Sequence, residues 1–453
     1  MFSISRNILN IFLKYEAVQS VVRNMGWLFF DRIIRVGLGF LVTVLLARYL
    51  GPEDFGLFSF TLALVTIASG FVGLGIREIL IRDLVALPKT ISESISASLL
   101  LQIMSGVFVY SILLIIGAWL KPGNSEFLLL LSVLGLIILV RFTDVFVAWF
   151  EAHVSMKPVV LVQSFFFITF SAVKICLIYF DAPLLAFGVA IAAEAVCVGI
   201  VLYPVFIMKF SKEKLASFSW SHASYLVKEG WPLFLASISI TLYMRFDQIM
   251  IGQMASFSQV AIYNVGVRIV EGLYIIPTII VISVFPKILA IRSFDKGKFS
   301  RRVQDLYNAL AMVSLATCFP IAYFADEIIF ILFGNDFLGA GKVLSVYMWV
   351  LVVVSFGIAR GKWLIAEGLQ RFSAIFTLAT LTLNVIGNYL LIPNYGAVGA
   401  AWATVLSVAC GSLLVPAIFR ATRISSRMFF LSFNPILLGV IYSKVRRKVL
   451  EEE

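Results

Sequence analysis

Apolar runs of about 20 residues recur from residue 25 almost to the end of the chain, and no other feature restricts the fold as much. At a rise of ~1.5 Å per residue, such a run crosses the hydrocarbon of a bilayer as a helix. Lipid offers no partner to backbone N–H and C=O groups, so a crossing segment must satisfy its own, as a helix does. The alternative, a soluble core, is ruled out by quantity. The 453 residues are 61% hydrophobic and 13% charged, with a mean hydropathy of +1.01, more apolar side chain than a soluble chain can bury. The chain reads as an all-α polytopic membrane protein with twelve transmembrane helices in two six-helix lobes. The spans are expected at 25–47, 55–75, 95–119, 127–148, 158–180, 184–206, 231–252, 262–286, 307–325, 343–365, 373–392 and 396–419.

Orientation follows from the cations. With the N-terminus inside, 28 of the 36 Lys and Arg fall in inner segments, including Arg141 and Arg360. Only Arg48, Lys121 and Lys342 fall outside, and Arg32, Arg35, Lys174, Arg245 and Arg268 lie within spans. That asymmetry places both termini on the cytoplasmic side of the cell membrane. It also accounts for the net charge of +11 without a nucleic-acid partner. Residues 1–24 mix Arg6, Lys14 and Arg23 with apolar residues and lack a cleavage-type pattern, so an interfacial cytoplasmic helix is expected there. The domain expectation is an N-lobe at 25–208, a cytoplasmic linker at 209–230, a C-lobe at 231–420 and a basic, interfacial tail at 421–453. Residues 428–443 are read as interfacial, with a thirteenth crossing as the competing reading. The longest inner connectors are Lys209–Glu229 and Lys287–Asp305, and the longest outer one runs from Asp326 to Lys342.

The chain is doubled. Ala186-Phe187-Gly188-Val189-Ala190 follows the fifth span, and Ala397-Val398-Gly399-Ala400-Ala401 follows the eleventh. An even number of helices per half makes these parallel repeats about the membrane normal. The four cysteines, Cys176, Cys197, Cys318 and Cys410, sit in apolar runs without CxxC spacing and read as packing residues.

Charges inside spans are costly, at least ~2.5–3.5 kcal/mol each near the centre, and by default mark a pathway. The hairpin Glu229–Lys287 carries Arg245 and Asp247 on one arm, Arg268 and Glu271 on the other. If the arms are antiparallel, all four share a slab of the outer half. Asp31 and Arg35 share a helix face at i,i+4, as do Arg32 and Arg35 at i,i+3. Lys174 in the outer half of the fifth span and Glu194 near the middle of the sixth are able to pair, and Arg141 and Asp144 form another i,i+3 pair. For Arg141, Lys174 and Glu194, neutralisation and helix locking is the favoured reading.

Leu50-Gly51-Pro52-Glu53-Asp54-Phe55-Gly56 resembles the opening signature of the polysaccharide (lipid-linked oligosaccharide) flippases of the multidrug/oligosaccharidyl-lipid/polysaccharide exporter superfamily. Phe246–Gly252, Ala261–Gly266, Phe285-Pro286, Leu332–Gly334 and Asn388–Thr404 resemble further motifs in the same order. The resemblance implies twelve helices in two lobes forming a V, and movement of lipid-linked glycans across the cytoplasmic membrane. Much of the signature is explained as scaffold. Gly51-Pro52 suits a tight turn, Glu53-Asp54 offset a helix dipole, and Pro393, Gly396 and Gly399 suit a turn and close packing.

The implied mechanism is alternating access. A cavity bearing Arg32, Arg35, Arg245 and Arg268 receives the phosphates of a prenyl-phosphate or pyrophosphate glycan, because guanidinium binds phosphate with a planar fork and stays charged. Similar carriers use arginines in the first and eighth spans, which supports Arg32, Arg35 and Arg268. Asp31, Asp247 and Glu271 are candidates for coupling or charge balance. Asp247 either titrates or anchors Arg268. The partners implied are membrane lipids and, in the same pathway, a glycan polymerase or glycosyltransferases.

Catalysis finds little footing. His153 and His222 are the only histidines, no metal-ligand spacing appears, and Gly339–Val343 lacks the pattern of a phosphate-binding loop. No catalytic residue, cofactor or metal is expected, and energy comes from an ion gradient, the membrane potential or product removal. Two other readings stand beside the flippase: a multidrug/cation antiporter of the same fold, and an integral-membrane glycan polymerase or transferase.

Overall fold

The computed structural model describes residues 2–87, 90–210 and 218–433, with side chains from Asn24 onward except Met25. Every regular element among them is a helix. In chain order these are α1 (Phe2–Val72), α2 (Ile76–Ala86), α3 (Ile91–Leu120), α4 (Ser125–Val140), α5 (Asp144–Ala152), α6 (Lys157–Tyr179), α7 (Leu184–Phe210) and α8 (Trp220–Met254). They continue as α9 (Phe257–Leu273), α10 (Ile275–Ile291), α11 (Lys296–Tyr323), α12 (Ala325–Phe333), α13 (Gly339–Glu367), α14 (Arg371–Ala409), α15 (Val415–Ile418) and α16 (Arg423–Leu431).

Ten helical stretches among the described residues are long and apolar enough to cross a membrane. Two of these, Gly26–Ala86 with 61 residues and Arg371–Ile418 with 48, each have the length of two crossings, so the total is consistent with twelve. Both are broken by glycine. Gly51 has φ 71°, and Pro52 follows it; Gly396 has φ 54°, three residues after Pro393. A side chain at a positive φ would be strained, so glycine is what permits the chain to turn there. The lipid-facing surface is apolar, as on α3, where Phe108, Ile115 and Trp119 are exposed.

Helix starts follow from capping. Asn124 accepts from Phe127 N at 2.8 Å to begin α4, and Asp295 accepts from Lys298 N at 2.8 Å to begin α11. This second cap corrects the expectation of a long connector at Lys287–Asp305. Helix runs to Ile291 and resumes at Lys296, so the basic residues Lys296, Lys298, Arg301 and Arg302 lie on α11. The outer segment Asp326–Lys342 is likewise mostly helical, through α12 and the turn Asn335–Phe337. Arg360, placed by sequence among inner-loop cations, sits inside α13. It donates to the Ser412 carbonyl and to Ser412 Oγ (3.3 Å), where a π-helical turn frees backbone groups.

At the N-terminus the backbone is helical from Phe2 with no break before Gly51, so no turn separates residues 2–24 from the first span. Residues 211–217 of the expected linker lie outside the described residues, and α8 already begins at Trp220. The expected interfacial segment 428–443 is described only to residue 433. Its described part belongs to α16, held by Gln304 Nε2 donating to the Met428 carbonyl at 3.0 Å and by Phe429 against Phe356.

The chain forms two compact units. The first comprises Met1–Leu50 and Thr61–Thr241, and the second Gly51–Phe60 and Leu242–Glu453. Each long helix α1 and α8 therefore contributes to both. In the first unit an aromatic core joins α5 to α7, with Phe146 stacked on Phe206 at 4.7 Å and Phe206 on Phe210 at 5.0 Å. In the second unit α13 is central, and Val343, Leu344, Met348 and Val350 are fully enclosed. Segment Gly51–Phe60 packs on α9 through Phe60 against Phe257, and Gly56 rests directly on the Phe257 carbonyl. Because lipid tails are as apolar as leucine, close packing of this kind, rather than escape from water, holds membrane helices together.

Candidate functional site

In the first unit, Asp31 and Arg35 meet across one helical turn, with Nε donating to both carboxylate oxygens at 3.0 and 2.9 Å. Ser164 on α6 donates to Asp31 Oδ1 at 2.8 Å, and the Arg35 guanidinium lies 5.1 Å over the Phe167 ring. The pair is thus tied to α6 on both sides. Arg32 is exposed and forms no ion pair among the described residues. Lys174 and Glu194 pair at 2.9 Å between α6 and α7, and Arg141 with Asp144 at 2.8 Å. All three expected pairings of this unit are present.

In the second unit, Arg245, Asp247 and Glu271 all make contacts across the two arms of the hairpin, as a shared slab requires. Glu271 contacts Arg245 at 3.6 Å, although it shares a helix face with Arg268. Arg268 forms no ion pair among the described residues. The trio Arg245, Glu271 and Arg268 therefore carries one surplus guanidinium, as the Asp31, Arg32 and Arg35 trio does in the first unit.

Asp247 does not anchor Arg268, which corrects that alternative. It is 2% exposed and enclosed by neutral polar groups. Asn388 Nδ2 donates to Oδ1 at 2.5 Å, Thr404 Oγ1 to Oδ2 at 2.7 Å, and Tyr263 Oη also donates to Oδ2. Asn384 joins through Thr404 Oγ1 at 3.2 Å and accepts from Asn388 Nδ2 at 3.2 Å. Asn388 Oδ1 is buried with no hydrogen-bond partner, and no cationic side chain pairs with Asp247 among the described residues. Three donated hydrogen bonds offset part of the cost of burying this carboxylate, and no cationic side chain among the described residues offsets the rest. No group of three or more His, Cys, Asp or Glu able to hold a metal ion occurs among the described residues.

Sequence reasoning named Asp247 and missed its surroundings. Asn388, Thr404 and Tyr263 lay inside motifs that carry the family resemblance and were given no role of their own. The available signal was the i,i+4 spacing of Asn384 and Asn388 on an apolar helix, where buried amides are expensive without a task.

Residues 21–291 match the family model described as polysaccharide biosynthesis protein. The chain is 28% identical over 410 residues to a Haloferax volcanii protein named "Probable flippase AglR", covering 83% of this chain and 78% of that one. Among solved structures, it is similar to lipid II flippase MurJ in an inward closed conformation, with TM-score 0.68, 18% identity and 93% of each chain covered. It is also similar to an inward-facing multidrug resistance transporter of the MATE family, with TM-score 0.61, 18% identity and 89% and 98% coverage. At these identities the structural likenesses establish the fold.

Proposed function

The chain belongs to the polysaccharide biosynthesis protein family, and on that premise we propose that it flips a prenyl-phosphate-linked oligosaccharide across the cell membrane. It works as a carrier by alternating access, for surface polysaccharide or glycoprotein synthesis, with both termini in the cytoplasm. The observation that carries the reading is the surplus guanidinium in each unit, Arg32 in the first and one of Arg245 and Arg268 in the second. Cations held in membrane-spanning helices without a matching acid call for an anionic partner. A lipid phosphate supplies it, since its oxygens accept the paired N–H groups of the guanidinium fork. The prenyl chain remains in lipid while the headgroup passes.

Asp247 is the coupling group in this reading. Its nest takes up one proton or one monovalent cation, and the charge state of the second unit then depends on the gradient. Glycosyltransferases supply the substrate, and a polymerase or transferase consumes the flipped product. The test is accumulation in cells. Depleting the protein should cause prenyl-linked glycan to collect in the inner leaflet, protected from an externally added periodate or lectin probe. Expression of the wild-type chain should restore its exposure. Normal outer-leaflet exposure in depleted cells would count against the assignment.

A further inference from the structure

The first unit holds a cavity of about 300 Å³, lined on its polar side by Arg35, Arg141, Thr143, Gln163 and Glu194. It lies where the fourth span breaks. Helix α4 ends at Val140, a single 3-10 turn spans Arg141–Thr143, and α5 resumes at Asp144. Helix α7 approaches this break closely because residue 199 is glycine. A Cβ there would stand 2.7 Å from Val140 Cγ1 and 3.2 Å from Thr143 Cγ2. Short 3-10 stretches inside helices often accompany a functional position, since they redirect side chains and release backbone groups.

The charges around this cavity balance. Arg35 meets Asp31 at 2.9 Å, Arg141 meets Asp144 at 2.8 Å, and Glu194 meets Lys174 at 2.9 Å. A phosphate therefore gains little here, in contrast to the unmatched Arg32. Hydrogen-bonding capacity nevertheless remains. Asp144 takes Nη2 of Arg141, whose Nε is buried with no partner among the described residues. Gln163 offers an amide that both donates and accepts, and Glu194 keeps an acceptor oxygen. The facing wall, including Ile137 and Ile191, is aliphatic.

Donors and acceptors together beside an aliphatic wall match the chemistry of a neutral sugar ring. Its hydroxyls donate and accept, and the C–H edge of the ring is apolar. The volume lies at the lower end of the ~300–1,000 Å³ typical of ligand pockets, enough for about one or two rings. We propose that this pocket is a sugar subsite binding an uncharged hexose-type ring of the glycan headgroup, with Arg141 and Gln163 as hydrogen-bonding residues. The proposal rests on the flippase reading and specifies which part of the substrate the first unit recognises.

The experiment uses the full chain in lipid nanodiscs and three water-soluble probes: farnesyl phosphate, farnesyl phosphate carrying one neutral hexose, and the same carrying a uronic acid. The neutral glycoside should bind about 10-fold or more tighter than the bare carrier, the gain that one hydrogen bond to a charged group supplies. Arg141→Gln and Gln163→Ala should each reduce that gain to less than about 3-fold, while binding of bare farnesyl phosphate and the melting temperature stay at wild-type values. Arg141 is partly exposed in its ion pair, so its loss costs little folding stability. Equal binding of the glycosylated and bare carriers, or variants that leave the gain intact, would overturn the subsite. Preference for the uronic acid would overturn its neutrality. Failure of all three probes to bind would instead remove the flippase reading, and the subsite with it.

Discussion

Asn388 donates from Nδ2 to Asp247 Oδ1 at 2.5 Å, joining α14 to α8 across 141 residues of sequence. The bond belongs to a nest in which, among the described residues, one carboxylate is surrounded by an amide, two hydroxyls and an unpartnered amide oxygen, with no cation paired to it. Asp247→Asn preserves the shape and removes the charge. No arginine is left unpaired by the change, so the variant should melt close to wild type. Transport should lose its dependence on an imposed proton or sodium gradient. Gradient dependence equal to wild type in the folded variant would take Asp247 out of coupling.

The contact between Arg245 and Glu271 at 3.6 Å predicts an energetic coupling that the spacing of Arg268 and Glu271 does not. Both side chains are largely shielded, at 24% and 14% exposure, so either partner alone is costly to leave behind. Glu271→Gln should destabilise by about 1–3 kcal/mol, and the Arg245→Gln/Glu271→Gln pair should show a coupling of roughly 0.5–3 kcal/mol in a double-mutant cycle. Additive effects, read by thermal melting in detergent, would dissolve the pair.

Gly56 lies against the Phe257 carbonyl so closely that a Cβ would overlap backbone rather than a movable side chain. Gly56→Ala should cost about 1–3 kcal/mol or more, as overpacking does. Gly357→Ala, where a Cβ would meet nothing within 4 Å, is the matched control and should melt within about 0.5 kcal/mol of wild type. Equal melting of the two variants would remove the packing role assigned to the Phe55-Gly56 motif.

Loop charge sets orientation, and cysteine labelling reads it. Cysteines at Ser125 and Asn394, both exposed, should react with an impermeant reagent in intact cells, and one at exposed Ser293 only after permeabilisation. Labelling of the Ser293 position from outside would invert the proposed topology.

The spans were legible because hydropathy and length alone define them, and the broken helices at Gly51 and Gly396 were legible as Gly/Pro punctuation. Pairs within one helix, Asp31 with Arg35 and Arg141 with Asp144, followed from i,i+4 and i,i+3 spacing. Lys174 with Glu194 followed from their neighbouring depths on consecutive spans, outer half and middle. What spacing does not encode is which residue of another helix turns toward a given charge. Glu271 has Arg268 on its own face, yet α8 brings Arg245 to it. Asp247 draws its partners from residues 16, 141 and 157 positions away, and none of them is charged, so a search for ionisable groups passes over them. Segment Gly51–Phe60 was explained as a turn and a helix start. That it packs within the second unit depends on tertiary contacts of Phe60 and Gly56 with Phe257.

The central claim is that the unmatched arginines meet a lipid phosphate. The direct measurement is translocation of a fluorescent prenyl-phosphate glycan by the purified chain in proteoliposomes, with melting as the folding control. Arg32→Lys and Arg268→Lys keep the charge and lose the fork, and should transport more slowly than wild type. Arg32→Ala and Arg268→Ala should be slower still, by about 10- to 150-fold, the loss of ~1.5–3 kcal/mol for a hydrogen bond to a charged group. The order wild type, Lys, Ala at both positions, with unchanged melting, is the predicted result. Alanine variants that fold and transport like wild type would contradict it.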